Sequence, residues 1–255
     1  MLVLAIGDVI GKPGRQAIQR LLPQLRQQYG LDMVMANGEN AAGGIGLTPE
    51  TADELFSAGV DVITSGNHIW MHKEIIPYLD SDSPVLRPLN YPAGVPGKGY
   101  IINRQAMVVN LIGRTFMSEL DCPFQAMDKL LTGFKTRPPV IIVDFHAEAT
   151  SEKVAMGRYL DGRVSAVLGT HTHVGTIDAQ IFPHGTAYVT DIGMTGPLDS
   201  VIGDDTEVVL QRFLTRLPHR MSVGGGKTSL NAILVNIANQ SGRATSIERI
   251  YREVG

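Results

Sequence analysis

Five short apolar runs in this chain each end in a group that can hold a proton or a metal ion. Leu2–Ile6 runs into Gly7-Asp8, and "DMVMA" runs into "NGEN", Asn37 to Asn40. "VDVIT" leads to "SGNH", Ser65 to His68; "VIIVDF" leads to His146; "VSAVLG" leads to "THTH", Thr170 to His173. Apolar runs of this length bounded by turn formers read as buried strands. In open α/β sheets the ligand site lies at the carboxyl edge of the strands. Polar residues scattered by chance would not all choose that edge. The pattern therefore restricts the fold to the α/β class and nominates one edge of it as a site.

The rest of the chain fits that frame. A helix is expected from about Pro13 to Tyr29, with Gly30 as its stop and a kink or break at Pro23. Asp32–Ala36 and Val60–Thr64 are the next strands, and Thr48 caps a helix that starts at Pro49. Tyr100–Asn103 and Met107–Ile112 read as a hairpin around "RQA". Val140–Phe145 and Val164–Gly169 are strands separated by a helix near Ser151–Leu160. Late strands are expected at Ala187–Thr190, Ala232–Ile237 and Thr245–Tyr251, with a helix around Thr206–Leu217. Early βαβ alternation followed by strand-rich segments predicts an α/β sandwich. The 255 residues hold no repeat, low-complexity tract or convincing linker, so one domain over residues 1–255 is expected.

Composition narrows the partners. Hydrophobic residues make up 44% and charged residues 18%, enough apolar material for a large core. A net charge of -3 and a pI near 6.2 argue against a broad nucleic-acid or membrane surface. They leave room for a small phosphate, because a bound metal brings its own charge. The single Cys122 rules out an intrachain disulfide and a thiolate cluster, and fits a reducing cytoplasm. "MLVLAIGD" is too short for a signal peptide or a membrane span.

"LGTHTHVGT" (Leu168–Thr176) sets His171 and His173 at period two, the same face of an extended segment. An exposed pair at a strand end is the plain alternative, and the four other strand ends weigh against it. The collected donors are oxygen and nitrogen without sulfur, which suit Mn, Fe, Zn or Co. Six or seven donors are too many for one four-coordinate zinc. They suit two metals sharing a carboxylate, an arrangement used for hydrolysis at phosphorus. A metallo-β-lactamase-like site wants an Asp two residues after HxH, where Gly175 stands. An amidohydrolase barrel carries its HxH after the first strand.

Single residues have plainer readings too. Asp8 alone reads as a helix N-cap, and Asn40 and Asn67 as turn residues. Asp144 shares strand parity with His146, and either fixes an imidazole tautomer or pairs with backbone. His72, His184 and His219 read as solvated, and Trp70 as a packing residue. "GKPGR" offers helix amides with Lys12 or Arg15 to a phosphate, or is simply solvated. "GGGKTS" (Gly224–Ser229) lacks the glycine that a P-loop needs, Met221 standing there instead, and reads as a flexible turn.

Taken together, "GDVIG", "NGEN", "SGNH", "DFHAE" and "GTHTH" resemble the motifs of the calcineurin-like metallophosphoesterase superfamily. "IGDVIGKPGR", "ANGENAAGGIGLT", "TSGNHIW", "DFHAEATSEK", "LGTHTHV" and "TDIGMTGP" resemble its bacterial YmdB-like branch across nearly the whole chain. The resemblance implies an α/β fold of four αββα layers with mixed sheets, and a cytoplasmic di-metal phosphodiesterase acting on cyclic nucleotides. It implies two divalent or mixed-valence transition-metal ions, Fe or Mn foremost. Asp8, Glu39, Asn40 and His173 would hold one, and Glu39, Asn67, His146 and His171 the other. His68 would be the catalytic, non-ligand histidine at the phosphate.

Three departures mark this sequence. Ile10 stands where the wider superfamily has His, Glu39 where it has Asp, and Ile69 where an acid often follows GNH. Asn40 could supply the ligand that Ile10 cannot. The expected reaction is attack of a metal-bridging hydroxide on a small phosphodiester, a 2′,3′- or 3′,5′-cyclic nucleotide. No stable binding of long nucleic acid is expected, no substrate-binding residue is assigned, and a homo-oligomer is left open. Two alternatives stand beside this reading: a regulatory metal-binding protein of the same fold acting through partners, and a phosphomonoesterase.

Overall fold

The computed structural model describes residues 1–103 and 105–254. In chain order its elements are β1 (Leu2–Ile6), β2 (Asp8–Val9), α1 (Gly11–Tyr29), β3 (Met33–Asn37), α2 (Pro49–Ser57), β4 (Val62–Thr64), α3 (Ile75–Leu79), β5 (Tyr100–Asn103), β6 (Ala106–Ile112), α4 (Pro123–Gly133), β7 (Val140–His146), α5 (Thr150–Tyr159), β8 (Ala166–Thr170), β9 (Gln180–Ile181), β10 (Ala187–Val189), β11 (Met194–Asp204), α6 (Thr206–Thr215), β12 (Val223–Ile237) and β13 (Ala244–Val254).

The period-two alternation of the strands sorts their side chains into three cores. Val3 and Ala5 of β1 point one way, Leu4 and Ile6 the other. The inward set joins Met35, Val108, Ile142, Leu168 and Val235 in a core pressed between two sheets. On the outer side of the first sheet, Leu4 and Ile6 meet Ile18 and Leu22 of α1 and Leu55 of α2. On the outer side of the second, Val109 and Val143 meet Met127 of α4 and Met156 of α5. The result is the four-layer αββα sandwich. Burying both faces of every central strand is why those strands read as continuous apolar runs.

Both sheets are mixed. The first runs β2-β11-β12-β1-β3-β4, with β13 also on β12. β1, β3 and β4 are parallel, and β12 lies antiparallel to β1. The second runs β5-β6-β7-β8-β10-β9, parallel through its middle and antiparallel at β5 and β9. The carboxyl ends of β1, β3 and β4 in one sheet and of β7 and β8 in the other come to a common edge.

Several local expectations hold. Gly30 ends α1 in the left-handed region, at φ 64°. Thr48 caps α2 in a reciprocal capping box with Thr51. Trp70 packs on the outer core and edge-on to Tyr91. The hairpin of β5 and β6 forms, although Arg104 of "RQA" lies outside the described residues.

Others are corrected. α1 starts at Gly11 and runs unbroken through Pro23. Pro23 and Gln19 both face solvent, so water can take the carbonyl bond that proline gives up. "GGGKTS" is no flexible turn but part of β12, paired with β11 and β13. β11 and α4 have no counterpart among the expected elements. β11, with Gly196, Pro197 and Gly203 inside it, shows no clean alternation to mark it as a strand.

Candidate metal centre

At the common edge, side chains from both sheets converge. Asp8 opens β2, immediately after Gly7, whose Cα faces the Gly193 carbonyl so closely that a side chain would collide with it. Asn37 ends β3, and Glu39 and Asn40 follow in a tight turn. Asn67 and His68 follow β4, His146 ends β7, and His171 and His173 follow β8. Asp8, Glu39, Asn40 and His146 are all buried.

Two sets of contacts share Glu39. In one, His146 Nε2 lies 3.1 Å from Glu39 Oε1, 3.1 Å from Asn67 Oδ1 and 3.0 Å from His171 Nδ1. In the other, Asn40 Nδ2 lies 3.4 Å from Glu39 Oε1 and 3.1 Å from His173 Nε2, which is 4.0 Å from Asp8 Oδ1. Glu39 Oε2 meanwhile accepts from the backbone N–H of His68 at 3.0 Å. Every strand-end residue named from the sequence is thus in one cluster. Gly66 makes the closeness feasible: a Cβ there would strike the His146 ring and Glu39 Oε2.

Charge in the cluster is lopsided. Burial opposes ionisation of Glu39, but the charge and hydrogen bond of His146, with His68 beside them, hold its carboxyl down at about 2. Burial likewise opposes a charge on His146, yet Glu39, Asp8 and Asp144 push it up to about 9. Burial and the His146 charge push His171 down to about 3. Burial pushes the Asp8 carboxyl up, against the pull of His173 and His146.

Metal ions fit this donor set on two observations. Asp8 Oδ1 is buried and has no hydrogen-bond partner among the described residues, a costly state for a carboxylate oxygen. The ring nitrogens of His146 and His171 also point at each other, where at most one can carry the intervening proton. Glu39, His146 and His171 offer ligand atoms all within 4.8 Å of one another, consistent with a metal-binding group.

The pair His171/His173 converges for a different reason than the sequence implies. The chain leaves the sheet at Thr170, so no extended segment sets the rings on one face. Both residues take positive φ, 105° and 66°, and the turn aims His171 at His146 and His173 at Asn40. Two such backbones in residues other than glycine are strained and need support. Thr172 between them donates its N–H and its hydroxyl to Asp191 Oδ2, at 3.1 and 2.8 Å. That same oxygen takes Lys153 Nζ at 2.7 Å, with both side chains buried.

Other supports lie beyond what the motifs show. Asn37 Nδ2 reaches Asp144 Oδ2 at 3.2 Å, and Glu148 Oε2 lies 2.9 Å from His171 Nε2. Asp144 accepts from the hydroxyls of Thr64 and Thr170, and Thr170 Oγ1 lies 3.0 Å from His146 Nδ1. It acts on the imidazole through Thr170, and burial pushes its carboxyl up to about 6. Asp8 caps no helix, since Ile10 occupies the N-cap of α1. His68, which lacks an acid after GNH, is held instead by Asn40 Oδ1, 2.7 Å from its Nδ1, while Ile69 is core. His184 and His219 are exposed as expected, whereas His72 is half-buried against the Ile45 carbonyl. Arg15 is spent on Glu54 and the Ala41 carbonyl, so it braces the Glu39 turn and does not offer itself to a phosphate.

The groove over the cluster encloses about 400 Å³, lined by His68, Glu148, His171, His173, Ile45, Ile202, Asp204 and Met221 among others. Among its lining residues none is Lys or Arg. A larger cavity of about 960 Å³ between β5 and α4 contains no residue of the cluster.

The buried pair gives a direct test of what supports the turn. Lys153→Met strands Asp191 without its cation and should cost about 3–5 kcal/mol of unfolding free energy. Urea midpoints at unchanged slope measure it, and a loss below about 1 kcal/mol would show that the pair does not hold the turn.

Comparison with known proteins agrees with the geometry. Residues 4–250 match the family model described as "YmdB-like protein". A Bacillus subtilis (strain 168) relative named 2′,3′-cyclic-nucleotide 2′-phosphodiesterase is 48% identical over 254 residues, 98% of this chain and 96% of that protein. The crystal structure of a hypothetical protein from Thermus thermophilus superimposes with a TM-score of 0.94 at 47% identity, covering 99% of both chains. That of a Mycoplasma pneumoniae protein titled a novel phosphatase gives 0.93 at 33% identity, covering 99% of this chain and 93% of the other. With motifs, layers and site edge in agreement over almost its full length, the chain belongs to the YmdB-like family.

Proposed function

We propose that this chain is a metal-dependent phosphodiesterase that hydrolyses cyclic nucleotides, 2′,3′-cyclic ones foremost, at a two-metal centre. The observation that carries the reading is the orphaned Asp8 Oδ1 beside six further donor side chains, under a groove with no lysine or arginine among its described lining residues. A phosphodiester cannot settle among Glu39, Glu148 and Asp204 unless cations are present to meet its charge. Asp8, Glu39, Asn40 and His173 would hold one ion; Glu39, Asn67, His146 and His171 would hold the other. Oxygen and nitrogen donors in this mixture favour Fe or Mn. Bound there, such ions supply a nucleophile at neutral pH and neutralise phosphate oxygens. The name of the Bacillus subtilis relative supports the 2′,3′ choice.

The chain's own residues do the rest. Glu39 would be shared by the two sets, its Oε1 lying 3.1 Å from His146 Nε2 and 3.4 Å from Asn40 Nδ2. His68 lines the groove without belonging to either set, in position to donate a proton to the leaving oxygen. Its Nδ1 faces Asn40 Oδ1. With Asn40 Oδ1 turned to a metal, the amide nitrogen would face His68 and leave the imidazole proton on Nε2. Ile45, Ile202 and Met221 give the groove an apolar rim suited to a base without reading its edge. Lys12, Arg15 and Arg114 do not line it, and a strand of RNA finds no row of cations.

The test is a set of rates for the Mn- or Fe-loaded protein. 2′,3′-cyclic mononucleotides should be cleaved with a higher kcat/KM than 3′,5′-cyclic ones, a phosphomonoester or a structured RNA. RNA or monoester cleavage above every cyclic nucleotide would refute the reading, and metal binding with no turnover would favour a regulatory role. His68→Ala should keep its metal content and lose about 10²–10⁴-fold in kcat. A metal-depleted variant would make His68 a ligand.

Proton linkage gives a second check. A ligand histidine must be deprotonated, and in the metal-free protein His146 keeps its proton up to about 9. Below that pH each ion bound at this position displaces one proton. Affinity for Mn²⁺ should therefore rise about tenfold per pH unit between pH 6 and 8, with proton uptake by the buffer seen in calorimetry. A flat dependence would count against His146 as a ligand.

A further inference from the structure

The turn after β6 stands beside the metal centre and is tightly held. β6 and β7 run parallel with Ile112 opposite His146, so the chain leaves the second sheet next to that histidine. Gly113 donates its N–H to the His146 carbonyl at 2.9 Å, and a side chain at Gly113 would strike Ala147 and Glu152 Oε2. The buried Glu152 carboxylate accepts the N–H groups of Arg114 and Thr115 at 3.1 and 3.0 Å. Past this clamp Phe116 takes a left-handed backbone, φ 63°, and is 88% exposed. It belongs to none of the three cores. Strained backbones of this kind persist only where the surroundings impose them, and they gather at functional sites. Arg114 is exposed as well, and its guanidinium has no hydrogen-bond or ion-pair partner among the described residues.

We propose that this turn is a second nucleotide subsite, and that the protein opens the 2′,3′-cyclic phosphate at the end of a short oligonucleotide, with Arg114 meeting the next phosphate and Phe116 stacking on the next base. The inference rests on the metal-centre reading above and extends its substrate by one residue. An exposed aromatic with a cation beside it holds a single strand without reading its sequence. One cation serves one added phosphate, whereas a long strand would need a row of them. Another protein is a poorer occupant, because one exposed aromatic is far smaller than a stable interface.

The chemistry of such a substrate suits the placement. Its terminal cyclic phosphate and its next phosphate flank one ribose, so the second lies close to the first. The apolar rim residues Ile45, Ile202 and Met221 belong to segments of the first sheet, and Phe116 follows a strand of the second. The terminal base takes the rim and the next base takes Phe116. Water adds to the terminal phosphorus, one P–O bond of the ring breaks, and the freed sugar oxygen takes a proton. The internal linkage stays whole.

The test compares the Mn-loaded protein on a 2′,3′-cyclic mononucleotide and on a dinucleotide with the same terminus. The dinucleotide should show a kcat/KM about tenfold or more higher, carried by KM, with its ring opened and its internal bond intact. Phe116→Ala and Arg114→Gln should each bring that ratio down toward one, and Phe116→Trp should keep it. The mononucleotide rate, read in parallel, reports folding and metal loading. A binding readout stands beside the rates. With 2-aminopurine as its first base, the dinucleotide monophosphate that ring opening leaves should be quenched on binding the wild type and not on binding Phe116→Ala. A wild type that opens the mononucleotide but favours the dinucleotide no further overturns the subsite alone. So does a ratio that either variant leaves at the wild-type value, quenching that Phe116→Ala retains, or cleavage at the internal bond. A wild type that opens neither substrate overturns the metal-centre reading, and the subsite with it.

Discussion

A buried carboxylate has to be met by positive charge, and in this molecule Glu39 is met by an imidazole from the opposite sheet. The 3.1 Å contact between Glu39 and His146 joins the turn after β3 to the end of β7. Much else follows from it. Gly66 must lack a side chain to admit the pair. Thr170 Oγ1 meets His146 Nδ1 and is itself held by Asp144, which Asn37 also reaches, so this network fixes the ring. Glu39 and His146 form an ion pair, and burial together with the His146 charge keeps His171 neutral beside it. The site is therefore an electrostatic structure before any substrate arrives.

The strain at His171 and His173 is the complement of that order. Left-handed backbones at two non-glycine residues hold only if their surroundings over-determine them. The Lys153–Asp191 pair supplies the constraint by gripping Thr172 at both its N–H and its hydroxyl. A charge pair buried this deeply gives little net stability by itself. Its value here lies in geometry, because it keeps two rings aimed at different halves of the cluster.

The polar strand ends were legible because each sits directly after an apolar run, where position in the sequence fixes position in the sheet. The layers were legible for the same reason, since strands buried on both faces leave unbroken apolar runs. His171 and His173 do join the cluster, but through a turn and not through an extended segment. The supports were not legible. Lys153 and Asp191 are 38 residues apart and meet only through the packing of α5 against β8 and β10. A lysine in an ordinary helical sequence looks solvated until the fold covers it. β11 was hidden by the glycines and proline that let it bend.

One pairing in the first sheet has a consequence for how the chain is made. β1 is a central strand, and one of its two edges is filled by β12, with Leu2 opposite Asn236 and Ile6 opposite Ala232. A ribosome extends a chain from its beginning, so that edge stays open until β12 has emerged, with every other element from β2 to α6 made before it. Contacts of such long range also form slowly. During synthesis the nascent chain carries an apolar strand with one unsatisfied side, a surface on which chaperones act. The first sheet closes around β1 only after β12 has been made.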